Sequence, residues 1–189
     1  DFRHQDAETL HGMSPRIVFT NSHDGTSSAS AMAGYFRFVC SNGLVIGTTT
    51  GRARARHIYR DAREFVHEMQ QFAAVANEQR KNIERWNKIQ LSKAQRDDYA
   101  RLVGQLRWGD AWAYEPIQLL SPRRAEDDDG SLLTTFNRAQ ENATRGGLAG
   151  VSRTGRRMIS QPISGIERDL TFNAQLWQLT EEFAEAVAG

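Results

Sequence analysis

The chain has 189 residues, a formal net charge of +1 and 25% charged residues; the length suits one domain able to bury a core without disulfides or metal clips. The balanced charge excludes a globally basic coat for nucleic acid, so any such affinity must come from local patches. A single cysteine, Cys40, excludes an internal disulfide and a multi-cysteine zinc site, and no apolar run approaches the roughly 20 residues of a membrane span, so the expected compartment is the cytoplasm, with no membrane partner.

Asp1 to Pro15 is polar and has no sustained period. Arg16 to Thr20 is apolar and β-branched, and it stops at Asn21-Ser22-His23-Asp24-Gly25, a cluster with strong turn chemistry. Gly34 to Cys40 is again aromatic and β-branched, and after Ser41-Asn42-Gly43 the apolar run resumes at Leu44-Val45-Ile46. Asn42-Gly43 between two such runs predicts an antiparallel hairpin, because both residues tolerate positive φ. The β region is expected over 16–50. Beyond it, Arg52, Arg54 and Arg56 alternate with small residues and are followed by His57. In an extended strand these three guanidiniums share one face and suit a phosphate backbone; the plainer reading is a solvated loop.

From Ile58 the period changes. Ile58, Ala62, Phe65, Met69, Phe72, Ala76, Gln79, Ile83 and Trp86 follow a 4-3 spacing, which predicts one long helix with a narrow apolar seam. Ser92 and Gln95 have the spacing of a capping box, opening a helix that ends at Gly109. Trp108, Trp112 and Tyr114 lie beside Arg107, either as a platform for unstacked bases or as the closure of a core. Pro116 starts a short helical turn. Leu132, Leu133, Phe136, Ala139 and Ala143 predict a further helix closed by Gly146-Gly147, and Leu170, Leu176, Trp177, Phe183 and Val187 a last one. Residues 58–189 are thus expected to be mainly helical.

Two further basic stretches interrupt that region. Pro122-Arg123-Arg124 precedes the acidic run Glu126 to Asp129, whose consecutive carboxylates diverge and do not form a metal loop. Gly146 to Gly165 holds five glycines together with Arg153, Arg156 and Arg157 and no acid. With Arg145 it reads as a flexible cationic loop or loose hairpin able to approach phosphate. Its glycines do not precede a Lys-Ser or Lys-Thr pair, so a nucleotide-hydrolysing loop is excluded.

No catalytic set, metal site or cofactor site is read from the chain. Ser22, His23 and Asp24 are adjacent, and triad partners generally come from separate segments. The five histidines lack recognisable ligand spacing. His23 and His57 flank the same hairpin and are able to meet.

Several motifs carry a resemblance. Asn21 to Gly25, then Phe36-Arg37-Phe38-Val39-Cys40-Ser41-Asn42-Gly43-Leu44, then Leu106-Arg107-Trp108-Gly109-Asp110, Ser121-Pro122-Arg123-Arg124 and Gln140-Glu141-Asn142 with Arg145-Gly146-Gly147-Leu148 occur in this order. So do Gly165-Ile166 and Leu176-Trp177. The chain resembles the phage- and plasmid-borne family known as domain of unknown function 932 over nearly its whole length. The resemblance implies a protein of mobile genetic elements and marks Asn21, Ser22, His23, Asp24, Gly25 and Arg37 as a family-motif set. It also implies a preceding N-terminal portion, and it departs from the usual pattern at Arg56-His57-Ile58-Tyr59, which lacks a glycine after the histidine.

The expected fold is α+β, one domain over 1–189 with a small antiparallel sheet, one long helix and about three others. The expected function is non-enzymatic binding of single-stranded DNA in strand annealing or protection during recombination. Arg52, Arg54, Arg56, His57, Arg123, Arg124, Arg145, Arg153, Arg156 and Arg157 are the contact candidates, and the sheet or the long helix a route to homo-oligomers. Two other readings stand: an inhibitor that binds a host defence protein, and a metal-dependent nuclease using His23, Asp24 and His57.

Overall fold

The computed structural model describes residues 13–20, 29–38, 45–47, 51–55, 78–125 and 129–188. The fold is α+β, as the sequence predicts, and it divides into two compact units, Asp1–Asn82 and Ile83–Gly189.

The first unit contains an antiparallel sheet of four strands, β1 (Met13–Thr20), β2 (Ala29–Phe38), β3 (Val45–Gly47) and β4 (Gly51–Ala55). The ten-residue β2 is its axis. One edge of β2 pairs with β1 from Met13↔Arg37 to Thr20↔Ser30. Its other partners are β3, from Phe36↔Gly47 to Phe38↔Val45, and β4, from Ala29↔Ala55 to Ala33↔Gly51. The strands on either side of Asn42-Gly43 therefore pair antiparallel, while the turn itself lies outside the described residues. β2 begins five residues earlier than its aromatic pattern predicts. Ala29 to Ala33 are small residues of low strand propensity, held in the ladder by partners on both sides rather than by their own preference. Most of the expected long helix, residues 58–77, is likewise outside the described residues; helix α1 is seen over 78–88.

In the second unit the sequence rules of helix punctuation hold locally. Helix α2 (Lys93–Trp108) starts at Ser92, whose hydroxyl accepts the Gln95 amide while the Gln95 side chain accepts the Ser92 amide at 2.8 Å. These two bonds satisfy donors that a helix start otherwise leaves open. Gly109 ends it at φ 57, and a short 3-10 turn, Gly109–Ala111, follows. Strand β5 (Trp112–Tyr114) and helix α3 (Pro116–Leu119) come next.

Helix α4 (Leu132–Arg145) is capped by Ser131 and ends at Gly146, φ 68. It is buried at every position from Ser131 to Thr144 except Arg138. Its apolar side joins Trp86 and Trp177: the Trp86 ring lies 5.4 Å from Phe136 and 4.4 Å from Trp177. Its polar side is buried as well, so groups there need bonds within the protein, and Asn137 Oδ1 is the exception on this helix, buried without one. Thr135 and Thr144 hydroxyls donate to the carbonyls of Ser131 and Gln140, and Gln140 donates to Asn173 Oδ1 at 2.6 Å. Strands β6 (Ala149–Ser152) and β7 (Arg157–Ile159) complete a second sheet in the order β5-β6-β7, and α5 (Ile166–Ala188) closes the unit.

Candidate nucleic-acid interface

The arginines near α4 are bound into its surroundings. The Asn142 amide nitrogen serves three carbonyls, those of Leu119 and Ser121 at 2.9 Å and of Arg138 at 3.0 Å. Its Oδ1 accepts Arg123 Nε at 2.5 Å, and Arg123 Nη2 donates to the Gly146 carbonyl. Glu141 is only 4% exposed. A carboxylate so enclosed is tolerable only when paired, and Arg124 Nε at 3.2 Å and Arg145 Nη1 at 3.4 Å supply the charge. Ser121 to Arg124 and Gln140 to Arg145, two motifs far apart in sequence, thus form one structural knot.

On this knot stands the β6–β7 hairpin. Gly147 N–H donates to the Ser160 carbonyl and Ser160 N–H to the Leu148 carbonyl, which fixes the hairpin base. A side chain at Gly146 would meet the Ser160 carbonyl at 2.6 Å, so this approach requires glycine. The tip is closed by Ser152 N–H to the Arg156 carbonyl and by Gly155 at φ 79. The Gln118 side chain donates to the Ala149 carbonyl and accepts its amide, adding one rung beyond the Tyr114↔Gly150 pair. The stretch read from sequence as a flexible loop or loose hairpin is here a hydrogen-bonded hairpin within a three-stranded sheet.

Arg153, Arg156 and Arg157 are exposed on it, and none of their guanidiniums bonds another described residue. Apolar side chains accompany them: Ile159 is 61% exposed, with Val151 and Met158 also open, and Ile117 of α3 is 62% exposed. A cavity of about 770 Å³ lies between α3 and the hairpin, with Glu115, Gln118, Val151, Arg157 and Met158 on its walls. Guanidiniums suit phosphate oxygens, and exposed apolar groups suit the faces of unstacked bases.

Trp108 and Tyr114 have ring centroids 5.3 Å apart, and the Arg107 guanidinium sits 5.5 Å from the Trp108 centroid. Tyr114 donates to the Ala100 carbonyl at 2.7 Å, and burial pushes its phenol up to about 12, so it stays neutral. Arg107 donates to the carbonyls of Ala143 and Gln161. Trp108 and Tyr114 are half-buried, and their rings hold β5 against α2.

Of the other candidates, Arg52 and Arg54 stand in β4 opposite Met32 and Ser30, and Arg37 stands in β2 opposite Met13 and Ile46. Arg56, His57 and the motif Asn21, Ser22, His23, Asp24 and Gly25 lie outside the described residues, as do all five histidines and Cys40. Among the described residues no three His, Cys, Asp or Glu side chains gather where a metal ion would bind, and no helix is long and apolar enough to cross a membrane. Sequence reasoning missed Gln118 and the hub role of Asn142, which joins Leu119 and Ser121, about twenty residues upstream, with no local signature.

The motifs agree with comparison to known proteins. The family described as Domain of unknown function (DUF932) matches residues 2–177. The UPF0380 proteins YafZ and YfjQ of Escherichia coli (strain K12) are each 32% identical over 170 residues, which is 88% of this chain and 62% of theirs. The chain therefore spans under two thirds of the length of these relatives. No solved structure matches it. With the family's pattern running from the first strand to the last helix, the chain belongs to the DUF932 family.

Proposed function

We propose that the chain binds single-stranded nucleic acid, DNA foremost, along the β6–β7 hairpin, as an annealing or protecting factor in the recombination of a plasmid or phage. The observation that carries this reading is a division among the arginines. Arg123, Arg124 and Arg145 are tied to Asn142, Glu141 and Gly146, whereas Arg153, Arg156 and Arg157 are exposed without such bonds. From Asn142 to Ile166 the sequence has no acid. Phosphates meeting these side chains release counterions, which gives affinity without sequence preference. The open apolar residues Val151, Met158 and Ile159 favour a single strand, because a duplex keeps its base faces stacked inside. The protein acts by binding rather than by chemistry, and in the cytoplasm.

The test is fluorescence anisotropy of labelled single-stranded and duplex oligonucleotides at two salt concentrations, with and without magnesium. Salt-sensitive, single-strand-preferring binding, lost in the triple variant Arg153→Ala, Arg156→Ala, Arg157→Ala and without cleavage, is the expected result. Wild-type affinity in the triple variant would overturn the reading, and magnesium-dependent cleavage would replace it with a nuclease.

A further inference from the structure

A second cavity, about 420 Å³, lies in the same unit where the last turn of α2, residues 162–164 and the first turns of α5 meet. Its volume falls within the roughly 300–1,000 Å³ of small-molecule sites. Two guanidiniums, Arg107 and Arg168, line it together with Ser164 and Gln175, and Phe172 and Pro162 contribute apolar wall. Among the described residues no carboxylate lines it. Asp169, next to Arg168, instead accepts from Asn173.

Arg107 is held ready. Its Nε and one Nη2 hydrogen are committed to the carbonyls of Ala143 and Gln161, which fixes the plane of the group. A guanidinium has five N–H donors, so the other three remain for a ligand. Burial lowers its pKa, yet arginine still stays charged. It is therefore a poorly hydrated cation in a set orientation, the state in which a charge-assisted bond to an anion is strongest. Arg168 is exposed and able to swing onto a second oxygen of the same anion.

We propose that this cavity binds a phosphomonoester carried on a flat, partly apolar group: a nucleoside 5′-monophosphate, free or as the phosphorylated end of a strand. The phosphate sits between Arg107 and Arg168 with the Ser164 hydroxyl as a further donor. The nucleoside lies toward Phe172 and Pro162, and Gln175 is placed to meet its polar edge. The site uses none of the hairpin arginines and does not depend on the hairpin reading.

Isothermal titration of the 189-residue chain with deoxyadenosine monophosphate, deoxyadenosine and inorganic phosphate tests it. One mononucleotide should bind per chain, with the unphosphorylated nucleoside and inorganic phosphate each at least about tenfold weaker. Arg168→Ala, an exposed change that leaves the fold intact, should weaken the mononucleotide about tenfold, and Arg107→Lys should do the same by removing the planar fork. The triple hairpin variant should bind the mononucleotide like wild type, which separates failure here from failure of the hairpin. Competition by a 5′-phosphorylated oligonucleotide, but not by its 5′-hydroxyl twin, would identify a strand end as the ligand; competition by neither would identify the free nucleotide. Absence of mononucleotide binding at millimolar concentration, equal binding of nucleoside and nucleotide, or indifference to Arg168→Ala would overturn the proposal.

Discussion

Tyr114 occupies the space that a side chain at Gly104 would need: a Cβ built at 104 stands 1.5 Å from the Tyr114 hydroxyl oxygen and 2.1 Å from its Cζ. Through this contact β5 is seated on α2. Gly104→Ala improves helix propensity by about 1 kcal/mol, but displacing the ring should outweigh that gain and destabilise the unit by about 2 kcal/mol. Tyr114→Ala is destabilising by itself, so the double variant should lose less than the sum of the two single losses. Urea unfolding of the four proteins measures the difference; strict additivity would contradict the contact.

Tyr99 and Thr180 form a buried pair with unequal members. Thr180 Oγ1 donates to the Leu176 carbonyl at 2.6 Å, which leaves Tyr99 to donate to Thr180 at 2.7 Å. Tyr99→Phe removes a donor and leaves Thr180 satisfied, a loss of about 1 kcal/mol. Thr180→Val strands the buried phenol without an acceptor and should destabilise by about 2 kcal/mol or more. Equal losses in thermal or urea unfolding would refute this order.

The two classes of arginine should separate experimentally. Each phosphate neutralised on a single strand contributes a slope of about −0.7 to the dependence of log affinity on log salt, so removing Arg153, Arg156 and Arg157 should flatten that slope by about 2. Arg124→Ala should leave the slope unchanged. It deprives the buried Glu141 of one partner and should lower stability by about 1–3 kcal/mol. A variant at Arg124 that loses DNA affinity while keeping full stability would break the division.

Asp169 gives the unit a pH signature. Burial raises its carboxyl from the ordinary 3.8 to about 6, against the hydrogen bond from Asn173 that favours the charged form. The folded state therefore holds this proton over a range where the unfolded chain has released it. Stability from this group is greatest below about pH 4 and declines as pH rises through about 6. Asp169→Asn should match wild type near pH 4 and become the more stable of the two by pH 7. A constant gap in urea midpoint from pH 4 to pH 8 would refute the assignment.

The helix ends of the second unit were legible because their signals are local. Ser92 with Gln95, Pro116, Gly109 and Gly146 each sit where the sequence places them, since a cap or a positive φ involves only a few neighbouring residues. The β5-β6-β7 sheet was legible only as a loose hairpin within 146–165, and its pairing with β5 not at all. Its outer strands have three residues each, too few for alternation to register, and β5 is paired with residues far along the chain. The candidate interface was half legible for the same reason. Composition marks Arg153, Arg156 and Arg157 as a basic group, but it marks Arg123, Arg124 and Arg145 equally, and only the positions of Asn142 and Glu141 separate the two sets.

Helix α4 carries the charged and amide residues of a surface helix, yet Thr134, Thr135, Asn137, Gln140 and Glu141 are all buried. Hydropathy would therefore send a labelling reagent to the buried interior of the unit. A thiol installed there as Thr135→Cys, with Cys40→Ser to silence the native one, is shielded for as long as the unit is folded. Its rate of modification then becomes a clock for opening of the unit, readable in dilute protein and without denaturant.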